Sequence, residues 1–336
     1  MIAFILRRLG GAVLLVFIIS AVTFLIFFGL PKLAGTTTDD MAARFAGKSP
    51  TPEALAAIKE RFGFDQPLAV QYGNFVKAAV TGDTYDTGVE KIECPAPCLG
   101  YSFRTNQSVT DQLIDRFPIT LSLVVGAALI WLLVGVSIGV LSALRRGSLF
   151  DRAAMMIALA GVSLPIYFTG LLSLAFVVHQ WGLLPPVSYS SFADNPLKWA
   201  SALILPWITL AFLYAAMYAR LTRAGMLETM SEDYIRTARA KGLPERTVIT
   251  KHALRASLTP LLTVFGLDIG LLFGGAVLTE RTFSLKGLGS LALDGVVGSD
   301  LPVVLGTVVT ASLFVVLANL IVDVLYGVVD PRVRHS

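Results

Sequence analysis

Charge is what this chain has least of. Of its 336 residues, 15% are charged and 55% are hydrophobic. A soluble domain ordinarily carries about 25% charged residues, so composition excludes an ordinary soluble globule. Cysteine and histidine are also scarce, at two and three residues. The cysteines have no histidine near them in sequence, so the four-ligand zinc pattern is missing and no metal is expected. No nucleophile–base pair stands out either, and the chain is not expected to be an enzyme. Its net charge of +4 follows the distribution of lysine and arginine around apolar blocks, and nucleic acid is not needed to explain it.

Six blocks almost free of charge run over 9–30, 119–144, 153–178, 200–220, 260–280 and 303–327. Each approaches the roughly 20 residues that cross a hydrocarbon core as a helix. The expected fold is therefore an all-α polytopic membrane protein with six transmembrane helices. Basic residues set the orientation. Arg7 and Arg8 precede the first block, and Arg145, Arg146 and Arg152 bracket the second connection. Arg220 and Arg223 follow the fourth block, while Arg332 and Arg334 follow the last. The alternate short loops hold only Lys198 in one and Arg281 and Lys286 in the other. Both termini are thus expected in the cytoplasm of a multi-pass protein of the cell membrane (plasma or inner). The first block is too long for a signal-peptide core, and Gly29-Leu30-Pro31-Lys32 is a poor cleavage site. It reads as a retained span.

The expected organisation is a first span at 1–30, an extracytoplasmic insertion at 31–118, and a core of five spans at 119–336. In the insertion, Pro52, Leu55, Ile58, Phe62 and Gly63 mark one helix. After Pro67, Leu68, Tyr72, Phe75 and Val76 repeat as the face of another. Gly82 to Ser108 reads as irregular and turn-rich. It holds Cys94 and Cys98, for which a disulfide is expected on the oxidising side of a membrane. Gly47-Lys48-Ser49 resembles the end of a phosphate-binding loop, but Gly47 lacks a glycine five residues before it and Pro50 follows at once.

One short connection does not fit a membrane protein's usual thrift with charge. Between Ser231 and Pro260 stand Arg236, Arg239, Lys241, Arg246, Lys251 and Arg255, against Glu232, Asp233 and Glu245. Ser231 suits an N-cap, Glu232 and Asp233 the positive end of a helix, and Lys241 its negative end. Gly242 suits a left-handed stop and Pro244 the start of a second helix. Met230, Tyr234 and Ala238 form one stripe, and Glu232 is spaced to pair with Arg236. A basic hairpin lying on anionic lipid would need only positive charge and an apolar face. Caps at both ends, a hinge and mixed charge favour a docking lever for a cytoplasmic partner.

The residues of this arm, 221–259, resemble the coupling loop of binding-protein-dependent ABC importer permeases, specifically the dipeptide/oligopeptide/nickel group. The matching segments are Arg220–Arg223, Met226–Glu228, Ser231–Leu243 and His252–Leu254. The resemblance extends to PEALAAIKERFGFDQPLAVQYGNF at 52–75, LLFGGAVLTERTFSLKGLG at 271–289, Asp300-Leu301-Pro302 and Asp330-Pro331-Arg332. Arg236-Thr237-Ala238 stands where the wider superfamily has Glu-Ala-Ala, a version usual in the peptide group. Leu30–Gly35, Lys286 and the insertion Thr84–Gln107 depart from the group's pattern.

The resemblance implies a type I ABC importer permease. Its partners would be a homologous second permease subunit, two cytoplasmic ABC ATPase subunits and an extracytoplasmic substrate-binding protein, all in or beside a lipid bilayer. ATP and Mg would sit on the ATPase subunits, with no cofactor bound by this chain. Glu232, Asp233, Tyr234, Arg236, Thr237, Ala238, Arg239, Lys241 and Gly242 would form the ATPase-docking surface. Peptides lead as cargo; nickel, glycosides or another small solute use similar permeases. Asp268 and Asn319 inside spans, and Glu280 and Asp300 around a loop expected to dip back toward the membrane, are candidates for the translocation path or gate. Pro165 and Pro206 are expected helix kinks. The competing class, an ion-coupled secondary transporter, calls for repeated intramembrane carboxylates or broken half-helices; a central Asp268 is thin support for it.

Overall fold

The computed structural model describes the backbone of residues 2–33, 35–43, 65–86, 91–102, 104–273 and 276–329, with Pro52, Ala56, Lys59 and Gly63 besides. Side chains are described within these ranges except at 2–9, 12, 41, 86, 273 and 322–329. Leu55, Ile58 and Phe62, the Gly47-Lys48-Ser49 stretch and the C-terminal Arg332 and Arg334 therefore lie outside the described residues.

Helices dominate because apolar stretches at membrane depth must satisfy every backbone group internally. They are α1 (Ile2–Phe24), continued by π-helical Leu25–Gly29 and helical Leu30–Leu33, α2 (Thr38–Ala43), α3 (Leu68–Thr81), α4 (Val109–Leu144), α5 (Leu149–Ser163) and α6 (Ile166–Ser173). There follow α7 (Pro196–Met230), α8 (Asp233–Ala240), α9 (Glu245–Thr247) and α10 (Leu254–Phe273). Last come α11 (Val277–Thr282), α12 (Leu288–Val297) and α13 (Leu301–Val329). Among the described residues five helical stretches are long and apolar enough to cross a membrane, or six if α5 and α6 with its π-helical extension to Gln180 count as one broken span. That pair departs from the single kinked helix expected over 153–178: the two axes differ by 102°. Leu164 is extended at φ −91° and ψ 129°, and Pro165 starts the new helix. A proline forces its predecessor out of the helical region, so the chain turns there. Helix α7, by contrast, continues through Pro206.

Two compact units divide the chain: residues 1–117 with 287–314, and 118–286 with 315–336. In the first, Tyr72 of α3 lies on α1, its hydroxyl 2.8 Å from Ser20 Oγ and its ring 5.6 Å from that of Phe17. The segment expected to be irregular after Gly82 forms two small antiparallel ladders instead. β1 (Asp83–Asp86) pairs with β2 (Lys91–Cys94), and β3 (Tyr101–Ser102) with β4 (Gln107–Ser108). The runs are too short to show alternation, which is why sequence pattern does not reveal them. Cys94 and Cys98 are joined by a disulfide with Cα atoms 5.6 Å apart. Gly82, at φ +81°, brings the chain so close that a Cβ there would lie 2.8 Å from the Cys94 carbonyl oxygen. Intact mass of the purified protein is expected to rise on alkylation only after reduction; alkylation without reductant would contradict the bond.

The core of the second unit gathers Leu123, Trp131, Leu203, Leu210, Tyr218 and Phe283, all nearly inaccessible. Helices α4 and α7 approach closely there. A Cβ on Gly135 would stand 2.8 Å from the Ala215 carbonyl oxygen, and one on Gly139 would stand 2.5 Å from Thr222 Cβ. Gly135 and Gly139 are one turn apart, the small-xxx-small pattern that lets membrane helices meet.

Candidate functional site: the charged arm and its supports

The arm begins where α7 stops. Ser231 does not cap the next helix as expected. It keeps helical dihedrals, and its hydroxyl donates to the Glu228 carbonyl at 2.7 Å, closing α7. Serine readily bonds back to a carbonyl three residues earlier, which removes it from the capping role. The start of α8 falls to Glu232, which makes no side-chain cap bond. Glu232 is therefore outside the helical register, and Arg236 pairs with Asp233 at 3.5 Å rather than with Glu232. Both partners are largely in solvent, at 73% and 96% exposure, so the pair adds little.

The expected stripe of Met230, Tyr234 and Ala238 is also rotated. Met230 belongs to α7, and the buried residues of α8 are Ile235 and Ala238. They pack with Ala143 of α4, Met226 of α7, and Val248 and Ala253 beyond α9. Tyr234 points outward, 46% exposed. Its hydroxyl is held above the usual phenol value, first by partial burial and then by the Glu232 charge. Glu232, Asp233, Tyr234, Arg236, Thr237, Arg239, Lys241 and Gly242 are all exposed. One apolar edge thus anchors α8, and its other faces are free for contact.

The turn that follows is built by Gly242 at φ +76°. Its amide donates to the Arg239 carbonyl at 2.9 Å, and that of Leu243 reaches back to the Ala238 carbonyl at 3.4 Å. These bonds satisfy the end of α8 in the manner of a left-handed C-cap. Arg239 then clasps Glu245 across the turn with two hydrogen bonds, 3.1 and 2.8 Å long. From Glu245 the helix runs through a π-helical stretch, Val248–Ala253, directly into α10. The arm's second helix is thus the end of a membrane-crossing helix. A Cβ on Gly242 would meet nothing within 4 Å, so only backbone strain opposes substitution. Gly242→Ala is expected to lower stability by about 1–2 kcal/mol, and Gly242→Asn by less, because asparagine tolerates the left-handed region. Thermal unfolding of the two variants checks this.

Other candidates take varied places. Asp268 on α10 is half-buried and accepts a hydrogen bond from the Tyr218 hydroxyl at 2.8 Å. Glu280 on α11 is inaccessible, and the Thr120 hydroxyl donates to it at 2.7 Å. Asp300, in the first unit, is buried and receives the Ser102 hydroxyl. Burial pushes its carboxyl above the usual range, opposed by the Ser102 bond and a bond from the Val303 amide. Asn319 on α13 is exposed. Of the apolar block 260–280, Gly274 and Gly275 lie outside the described residues.

The most developed polar contact was not expected. Asp151, 4% exposed at its side chain, is clasped by Arg223 through Nε at 2.6 Å and Nη2 at 2.8 Å. The Gly147 amide adds a third bond at 2.9 Å, and Ser148 caps α5 by accepting from the Asp151 amide at 3.2 Å. The connection between α4 and α5 is thereby tied to α7 next to the arm. The cap at Ser148, though not the pairing with Arg223, has a sequence signal: Ser148-Leu149-Phe150-Asp151 before an apolar run is a capping-box pattern.

Comparison with known proteins covers the whole chain. Residues 135–335 match the family described as binding-protein-dependent transport system inner membrane component, and residues 1–124 match its N-terminal counterpart. The dipeptide transport system permease protein DppB of Escherichia coli (strain K12) is 38% identical over 359 residues, with both chains covered completely. The glutathione transport system permease protein GsiC of Escherichia coli O6:H1 is 34% identical over 337 residues, again across the whole of both chains. With the chain matched from end to end, this protein belongs to the binding-protein-dependent transport system inner membrane components.

Proposed function

We propose that this chain is one half of the membrane channel of an ATP-driven importer for di- or oligopeptides. Its termini and arm face the cytoplasm, and an external substrate-binding protein delivers cargo to the opposite side. A second, homologous permease completes the channel, and two ATPase subunits supply the work, with ATP and Mg bound to them. The chain itself catalyses nothing.

The observation that carries this reading is the arm. Ile235 and Ala238 fasten α8 to both α4 and α7, and Arg239–Glu245 braces the turn. A load applied to the exposed face of α8 therefore reaches two long helices at once. The Asp151–Arg223 clasp passes the same displacement to α5. Beyond Pro165 the chain changes direction, which gives the third span a built-in joint. The ten-residue helix Leu288–Val297, about 15 Å long, covers half a hydrocarbon core and suits a re-entrant gate.

Reconstitution with partner permease, ATPases and binding protein tests the reading. Uptake of a labelled dipeptide is expected to require ATP and the binding protein. Uptake driven by a proton gradient with ATP depleted would overturn it in favour of a secondary transporter.

A further inference from the structure

Asp268 sits in an unusual setting for a carboxylate at membrane depth. Its Oδ2 accepts one neutral hydrogen bond, from Tyr218. Among the described residues no lysine, arginine or histidine lies within ion-pairing distance of it. The surroundings are aromatic. Trp131 stacks on Tyr214 with centroids 4.7 Å apart, and its centroid lies 6.2 Å from those of both Tyr218 and Phe265. Tyr214 and Tyr218 are one turn apart on α7, and Phe265 and Asp268 one turn apart on α10, so each pair shares a helix face. Trp131 and Tyr218 are inaccessible, whereas Tyr214, Phe265 and Asp268 are only half-buried. The carboxylate and two rings are thus open, backed by a second, closed layer.

An ionised carboxylate inside a membrane needs a cation or a water-filled cavity beside it. Aromatic faces attract cations, ammonium groups included. A positively charged group entering between Tyr214, Phe265 and Asp268 would satisfy both requirements. We propose that Asp268 and Tyr214 form a transient binding site for a primary ammonium group of the cargo, with Tyr218 acting as the positioning residue that holds the carboxylate. The inference rests on the peptide-importer reading and names the chemical group that reading leaves open. Only the carboxylate and its ring partners are required; no covalent step occurs.

The test uses the whole transporter in lipid nanodiscs without binding protein, and ligand-observed NMR titration suited to weak binding. The probes are Ala-Ala, N-acetyl-Ala-Ala and the amide of N-acetyl-Ala-Lys, which separate an α-ammonium from a side-chain ammonium. Wild type is expected to bind Ala-Ala more tightly than N-acetyl-Ala-Ala. Asp268→Asn should weaken Ala-Ala roughly ten-fold, the size of one lost charge-assisted contact, and leave N-acetyl-Ala-Ala unchanged. Retention of the lysine amide by wild type and its loss in Asp268→Asn would assign the site to either ammonium source. Tyr218→Phe and Asp268→Glu guard against a folding defect: the first should weaken amine binding while the second retains it. Equal binding of Ala-Ala to wild type and Asp268→Asn overturns the site, as does equal binding of Ala-Ala and N-acetyl-Ala-Ala to wild type. Failure of the importer reading is distinguishable, because it appears as absent ATP-driven uptake by the wild-type protein.

Discussion

Gly139→Leu is expected to separate α4 from α7 and to be among the most damaging single substitutions in the chain. Even a methyl group at this position would fall 2.5 Å from Thr222 Cβ and 2.7 Å from the Ala219 carbonyl oxygen. The second contact is with backbone, so no rotamer change relieves it. Overpacking of a well-filled interior costs about 1–3 kcal/mol, and a leucine against helix backbone belongs at the upper end. Polarity does not hold this crossing together. Ser142 Oγ and Thr222 Oγ1 are buried there without hydrogen-bond partners. Orphan hydroxyls oppose burial, so the close approach of backbones supplies the stability. Thr222→Val is accordingly expected to leave stability unchanged or raise it. Thermal unfolding in detergent checks both. A Gly139→Leu protein that melts with wild type would show that the helices do not meet as described.

The second large effect is expected at the clasp between α5 and α7. Arg223→Met leaves the Asp151 carboxylate with a single amide donor, at Gly147, in a site from which water is largely excluded. Removing one partner of a buried pair is more harmful than removing both, because the remaining charge stays desolvated. Arg223→Met should thus be less stable than Asp151→Ala/Arg223→Met, and the double-mutant cycle should be strongly non-additive. Arg223→Lys should recover only part of the loss, since an ammonium cannot form the two parallel bonds seen here. Melting temperatures of wild type, Asp151→Ala, Arg223→Met, the double variant and Arg223→Lys decide the matter. Additive single effects would mean the contact is incidental. If the clasp also relays movement, hydrolysis by the assembled transporter will persist in the double variant while uptake falls.

The features legible in the sequence were those written as long patterns. Apolar blocks of about 20 residues fix membrane-crossing helices whatever surrounds them. Gly242 was readable as a stop because few residues adopt its left-handed conformation. The register of α8 was not readable, because it depended on whether Ser231 would bond forward or back. Choosing back moved the helix start by one residue and carried Tyr234 into solvent and Ile235 into the core. The small ladders at Asp83–Cys94 and Tyr101–Ser108 were too short for periodicity to speak. The Asp151–Arg223 clasp joins residues 72 positions apart, a pairing that no local pattern contains. Asp268 is legible as a charge within an apolar block, while its aromatic setting is assembled from three different helices.

On the function proposed, the exposed sides of α8 receive the work of ATP hydrolysis. Tyr234 and Arg236 lie on opposite exposed sides of α8, 46% and, at the side chain, 73% exposed, so changing them should leave the fold intact. The direct measurement is binding of the ATPase subunits to membranes carrying the Tyr234→Ala/Arg236→Glu protein, with its melting temperature taken in parallel. An unchanged melting temperature with lost ATPase binding and lost uptake is the expected result. ATPase binding and uptake equal to wild type would contradict the account.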